Sequence, residues 1–212
     1  VRSPRCSMFR STRSEPASTR STSCSIRCSD ETAVSQPFGV YVHIPFCAQR
    51  CDYCAFATWT DRGHLQTEYL RALRDEISAA ALMPVSSVFV GGGTPTLVDP
   101  AQLAEVLIAI PTTAGAEVTV ECNPDDVTVE MMHAFRAAGV NRVSIGVQSM
   151  VPAVLASLGR THLPANVQSA VKAVRTAGIP TFNLDLIYGA AGESLADWRT
   201  TLEGALALEP TH

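Results

Sequence analysis

Three cysteines fall within eight residues in the stretch Tyr41-Val-His-Ile-Pro-Phe-Cys47-Ala-Gln-Arg-Cys51-Asp-Tyr-Cys54-Ala-Phe56. Three residues separate the first pair and two the second. Thiolates are soft ligands, and a knot of them on a loop directly after an apolar run suits a soft-metal centre. A structural zinc site is closed by four ligands, so three thiolates leave it one short. Three thiolates can instead hold a four-iron cluster and leave one iron open to a ligand from outside. The bland alternative is three unrelated cysteines, and the joint pattern of spacing and flanking residues weighs against it. Cys24 and Cys28 repeat the first interval with no third cysteine after them, and read as a decoy.

Such a loop needs a frame, and the sequence supplies one. From Gly39 onward short apolar runs alternate with amphipathic stretches, the pattern of repeated β/α units around a parallel sheet. Strands are predicted at Val40–Ile44, Ser87–Val90, Glu117–Glu121, Arg142–Val147 and Phe182–Tyr188. Helices are predicted near 65–82, 100–110, 127–138, 164–178 and 195–208. Gly139, Gly178 and Gly204, with Pro84, Pro111 and Pro180, are candidate stops and turns. The polar residues gather at the carboxyl ends of the strands, the rim on which β/α barrels build their chemistry. Within the fourth strand Ser144, Gly146 and Gln148 share one face, and Val143, Ile145 and Val147 the other. Asn183 and Asp185 likewise oppose Leu184 and Leu186. A polar face opposite an apolar one predicts a barrel interior lined for a polar ligand, the alternative being polar filling of a packed barrel. The fold class is therefore α/β, a TIM-like β/α barrel of which five β/α units are visible. A sixth strand is expected beyond His212, so the chain reads as a piece of a longer protein.

At that rim, Gly91-Gly92-Gly93-Thr94 lets a ligand approach the backbone closely, and is suited to the amino and carboxylate ends of an amino-acid-like molecule. By itself such a run more often marks a tight turn. Glu121 and Asp185 stand on different strand ends and suit ribose hydroxyls or an ammonium. Arg160 can pair a carboxylate in two-pronged fashion. Taken singly, each carboxylate is an ordinary solvated charge; their regular placing argues otherwise.

Composition narrows the class. The chain is 212 residues long, 46% hydrophobic and 17% charged, as a globular protein is. No apolar run approaches the roughly 20 residues that a membrane span needs. Residues 1–36 hold six arginines against three acids, so the formal charge of −4 leaves about −7 on the remainder. A body of that sign is a poor candidate for nonspecific nucleic-acid binding. Seven cysteines in no paired pattern argue for a reducing compartment. Residues 1–36, rich in Ser, Thr and Arg, read as a disordered leader, or alternatively as a mitochondrial-type transit segment. Residues 37–212 form the expected core domain.

The motifs Tyr41-Val-His-Ile-Pro-Phe-Cys, Gly-Gly-Gly-Thr-Pro, Glu121-Cys-Asn-Pro, Asn141-Arg-Val-Ser-Ile-Gly-Val-Gln-Ser, Leu-Gly-Arg160 and Asn183-Leu-Asp-Leu-Ile-Tyr-Gly follow one another in order. Together they resemble the oxygen-independent coproporphyrinogen III oxidase-like family of radical SAM proteins, over roughly Phe38 to His212. The true oxidases of that family carry a further cysteine two positions after the third. Here that position is Phe56, as in the family's heme chaperone branch.

The resemblance implies that Cys47, Cys51 and Cys54 ligate a [4Fe–4S] cluster, and that Tyr41 and Tyr53 flank the cofactor. It implies that Gly92, Gly93 and Thr94 hold the methionine moiety of S-adenosylmethionine (SAM) by backbone contacts. Glu121, Gln148, Arg160 and Asp185 would contact SAM through its carboxylate and ribose, some of them at a second SAM site. His43 and His162 line the site or are hydrogen-bonded core histidines, Cys122 is a small core residue, and Trp198 is packing. The loop Gly189-Ala-Ala-Gly192 lacks the proline usual in the family, which loosens a turn. The implied activity is heme binding and delivery to acceptor proteins in the cytoplasm. The alternatives are oxidative decarboxylation of coproporphyrinogen III, another radical SAM reaction such as methyl transfer, or no activity for this stretch alone. Heme or a porphyrin and an electron donor such as a flavodoxin or ferredoxin are the implied partners, and a homodimer stays open.

Overall fold

The computed structural model describes residues 38–212. The expected leader at 1–36, with Cys24 and Cys28, lies outside the described residues. Five strands follow one another as neighbours in a single parallel sheet: β1 (Gly39–Ile44), β2 (Val85–Gly92), β3 (Thr112–Cys122), β4 (Arg142–Gln148) and β5 (Thr181–Leu186). Parallel neighbours require crossovers. These contain α1 (Gln66–Ala79), α2 (Pro100–Ile108), α3 (Val129–Ala137), α4 (Pro152–Ser157) and α5 (Pro164–Thr176), while α6 (Leu195–Leu206) follows β5.

The alternation predicted from sequence decides which face is covered. Val143, Ile145 and Val147 of β4 are wholly buried, as are Ile44 of β1, Val90 of β2 and Val120 of β3. Leu70 of α1, Leu103 of α2, Met132 and Phe135 of α3, and Val167 and Val174 of α5 complete this core. Each such side chain contributes about 1.5–3 kcal/mol by leaving water. Local signals start the helices. The Asp99 carboxylate accepts from Gln102 N–H ahead of α2, and Thr128 Oγ1 from Met131 N–H ahead of α3. Ser194 and Asp197 exchange hydrogen bonds at the head of α6. Pro84, Pro111 and Pro180 each directly precede a strand, as expected.

Several features differ from expectation, among them β2, which runs Val85–Gly92 rather than Ser87–Val90. Strand β3 begins at Thr112 rather than Glu117; its first four residues are exposed, and a register irregularity between Val85 and Ser87 separates them from the regularly paired half. Strand β5 ends at Leu186, after which Ile187 N–H donates to Gln148 O and Tyr188 turns into solvent. Gly204 is not a stop but lies inside α6, where a Cβ would come within 3.0 Å of the Met150 side chain. Helix α4 was not expected at all; six residues are too few to display a helical period. Along the outer edge of β5, Thr211 N–H donates to Phe182 O and Leu184 N–H to His212 O.

Candidate functional site

The cysteine loop leaves β1 and returns at Trp59, where Phe46 and Trp59 form a parallel bridge. Cys47 N–H donates to Trp59 O and Trp59 N–H to Pro45 O, so the loop is pinched at its base. Within it a tight turn brings Cys54 N–H to Cys51 O. His43 holds the returning leg: its Nε2 lies 2.9 Å from Ala57 O, and its Nδ1 3.0 Å from the Tyr41 hydroxyl. A carbonyl only accepts, so Nε2 carries a proton and donates it to Ala57 O. His43 is thus a hydrogen-bonded brace.

Strand β2 delivers the glycine run against this loop. Gly93 N–H donates to Ile44 O and Thr94 N–H to Phe46 O, both at 2.7 Å, and Gly92 N–H donates to Glu121 Oε2 at 3.1 Å. A Cβ on Gly93 would lie 2.6 Å from Phe46 O, and one on Gly91 2.5 Å from the Glu121 carboxylate. The glycines therefore admit the protein's own groups. All three amide hydrogens are engaged, so this segment can offer a ligand carbonyl oxygens, which suit an ammonium. A carboxylate bound at this segment would need donors other than these three amides.

The other strand ends complete the rim. Gln148 adopts φ +63° at an irregularity in β4, a conformation that costs a residue with a side chain of order 1–3 kcal/mol. The Asp185 carboxylate accepts from Ser144 Oγ and from Asn183 Nδ2, each at 2.7 Å, which fixes its orientation. Arg160 follows α4 and reaches three partners: Gly146 O at 2.8 Å, Asn123 Oδ1 at 3.0 Å and Cys51 Sγ at 3.7 Å. Thr94 Oγ1 donates to Cys47 Sγ at 3.7 Å. His162 is buried, its Nε2 donating to Val147 O, while its Nδ1 has no partner.

These groups enclose a cavity of about 330 Å³, within the usual range for small-molecule sites. Cys47, Cys51, Cys54, Tyr53, Gly92, Gly93, Thr94, Glu121, Gln148, Arg160 and Asp185 all line it. Tyr41, expected beside the cofactor, is not on the wall; it braces His43 and stacks near Phe89. Cys122 is buried with its thiol donating to Val120 O, and burial pushes that thiol up. Burial likewise raises the Glu121 carboxyl, against the Gly92 N–H that stabilises its charge, with Asp185 adding to the rise. Burial pushes the Tyr53 phenol up to about 12, although Arg160 opposes it, so the ring enters the site neutral. Burial, then Arg160, lowers His162, which keeps it neutral as well. Trp198 pairs with Tyr188 at 6.0 Å between ring centroids. The turn without proline is closed by Glu193, whose carboxylate accepts from Gly189 and Ala190 N–H.

No three His, Cys, Asp or Glu side chains among the described residues converge on a single-ion site. A four-iron cluster asks for something else: each thiolate binds a different iron, so the sulfurs must ring a space. Three unpaired cysteines spread around one cavity wall, two of them receiving hydrogen bonds on sulfur, fit that demand. Gln49, Asn123 and Gly159, which hold the loop and Arg160, were missed from sequence; only the glycine after the short helix carried a stop signal.

The family model of the radical SAM superfamily matches residues 41–205. The chain belongs to the radical SAM superfamily. The superfamily's cofactors are a [4Fe–4S] cluster and SAM, and the five β/α units are those of its TIM-like barrel, with the sheet open. The chain is 41% identical over 188 residues to the heme chaperone HemW of Mycobacterium tuberculosis, covering 84% of this chain and 48% of that one. It is 36% identical over 181 residues to an oxygen-independent coproporphyrinogen III oxidase of Bradyrhizobium diazoefficiens, covering 81% and 40%. Among solved structures, the coproporphyrinogen III oxidase HemN of Escherichia coli superposes with a TM-score of 0.75 at 31% identity, over 82% of this chain and 42% of that one. The chain thus spans about half the length, or less, of the superfamily members it matches.

Proposed function

We propose that this chain is the cofactor-binding part of a heme chaperone that keeps a SAM-dependent cluster site. The observation that carries the reading is Phe56, which stands on the cavity wall where the oxidases have a fourth cysteine. Identity does not choose between chaperone and oxidase, since 41% and 36% lie close together.

In this reading Cys47, Cys51 and Cys54 hold the cluster. The carbonyls of Gly92 and Gly93 and the Glu121 carboxylate receive the SAM ammonium, and Asp185, already oriented by Ser144 and Asn183, receives the ribose hydroxyls. Arg160 stands where the SAM carboxylate would be neutralised, and Gln148 and Thr94 complete the contacts. When bound, the cluster supplies one-electron reductive cleavage of SAM. The chain's own part is to orient the sulfonium, exclude water and hold Tyr53 and His162 neutral around it. An electron donor such as a flavodoxin or ferredoxin, heme-accepting proteins and self-association belong to the whole protein. No described helix is long and apolar enough to cross a membrane. The unpaired cysteines and bacterial relatives favour a cytoplasmic setting over a mitochondrial one.

Anaerobic reconstitution of the full-length protein, followed by heme titration and a coproporphyrinogen assay on one sample, tests this. Heme binding without decarboxylation is expected; formation of protoporphyrinogen would sink the reading of Phe56.

A further inference from the structure

The turn after α4 touches the cysteine loop at three points. Asp52 N–H donates to Leu158 O at 3.3 Å, and Gln49 Nε2 to Gly159 O at 3.1 Å. Arg160 donates to Cys51 Sγ at 3.7 Å. We propose that Leu158-Gly159-Arg160 is a platform that positions the cysteine loop, and that Arg160 acts through the Cys51 sulfur to raise the reduction potential of the cluster. The second half rests on the assignment of Cys47, Cys51 and Cys54 as cluster ligands.

The platform is built locally. Leu158 ends α4, Gly159 N–H donates to Ala156 O, and Arg160 N–H donates back to Leu155 O. That pair of bonds is the glycine-closed helix end known as a Schellman motif, and it requires the left-handed φ of +69° found at Gly159. The motif frees the Leu158 and Gly159 carbonyls to face outward, where the loop takes them up. Gly159 also has no room for a side chain: a Cβ would lie 3.1 Å from the Asp52 carboxylate and 3.2 Å from Asp52 N. Conformation and space therefore both select glycine here.

Arg160 does more than stand ready for a carboxylate. One nitrogen is committed to Gly146 O and Asn123 Oδ1, which ties it to the ends of β4 and β3. The other is aimed at Cys51. A fixed cation and an N–H···S bond stabilise the electron-rich state of a thiolate-bound cluster, and hydrogen bonds to sulfur are among the known levers on potential. This action needs no SAM.

The test uses the reconstituted full-length protein without SAM, titrated with dithionite as one-electron donor and followed by electron paramagnetic resonance. For Arg160→Met the ratio of reduced to oxidised cluster at a fixed potential is expected to fall about tenfold, which is ~59 mV for a one-electron couple. Arg160→Lys, which keeps the charge and loses the fork, should shift the same way by less. Identical potentials in wild type and Arg160→Lys and Arg160→Met would overturn the tuning role and leave Arg160 a ligand holder only. For the platform, Gly159→Ala is expected to speed amide exchange at Asp52 several-fold in the cluster-free protein, with the exchange of β4 unchanged. Unaltered exchange at Asp52 would overturn it. Because that readout needs no iron, a wild-type protein that took up no cluster would strike the ligand assignment and not the platform.

Discussion

Val143, Ile145 and Val147 send their side chains from β4 into the helical layer and are wholly buried, while Ser144, Gly146 and Gln148, alternating with them, line the cavity. The first face is complete within the chain: apolar atoms meet apolar atoms, and nothing is left over. The second face and its surroundings are not complete. Gln148 is held at φ +63°, His162 Nδ1 and Asn183 Oδ1 are buried without partners, and Glu121 carries a carboxylate raised by burial. A strand whose one side satisfies itself and whose other side holds strain and spare hydrogen-bonding capacity separates stability from function by a single residue step. Substitutions on the two faces should therefore fail in different assays.

The sharpest way to break that comparison is Ile145→Ala. It removes a fully buried side chain and should cost about 2–5 kcal/mol in urea unfolding. A cost under half that would mean the apolar face is less committed than its burial implies. Across the strand, Asp185→Asn keeps the volume and should change stability by less than about 1 kcal/mol. SAM affinity, measured by equilibrium dialysis, should drop roughly 10- to 100-fold, because a hydrogen bond to a charged group is worth about 1.5–3 kcal/mol. Equal losses in both assays would erase the distinction between the faces.

A smaller effect comes from Glu121. Its folded-state pKa lies above its unfolded one, so the folded chain binds more protons across that window. The stability it contributes is fully present below the unfolded pKa and is lost as pH rises through the folded pKa. Urea melts across the acid range should show that downward slope with rising pH, and Glu121→Gln should flatten it. Smallest of all, Phe56→Ala should leave stability within about 0.5 kcal/mol, since the ring is 63% exposed. A larger loss would place Phe56 in the fold and weaken its use as a mark of function.

Much of this arrangement is legible in the sequence, for identifiable reasons. Period-two alternation in Arg142–Gln148 and Thr181–Leu186 reveals both faces, because strand geometry writes it residue by residue. The cysteine spacing is local too. By contrast, the contact between Gln49 and Gly159 joins residues 110 apart in the chain, and no local pattern records it. Tyr41 is a related case: the hydrogen bond between its hydroxyl and His43 Nδ1 is a partner that only the folded chain reveals. The amides of Gly92, Gly93 and Thr94 are taken by Glu121, Ile44 and Phe46, and only the folded chain reveals those partners.

The central claim is that Cys47, Cys51 and Cys54 ring one cluster beside a SAM pocket. Electron paramagnetic resonance of the anaerobically reconstituted, dithionite-reduced full-length protein, with and without SAM, tests it most directly. The account predicts a reduced four-iron signal that changes on adding SAM and disappears in Cys51→Ala. A signal that persists in Cys51→Ala, or one indifferent to SAM, would contradict it.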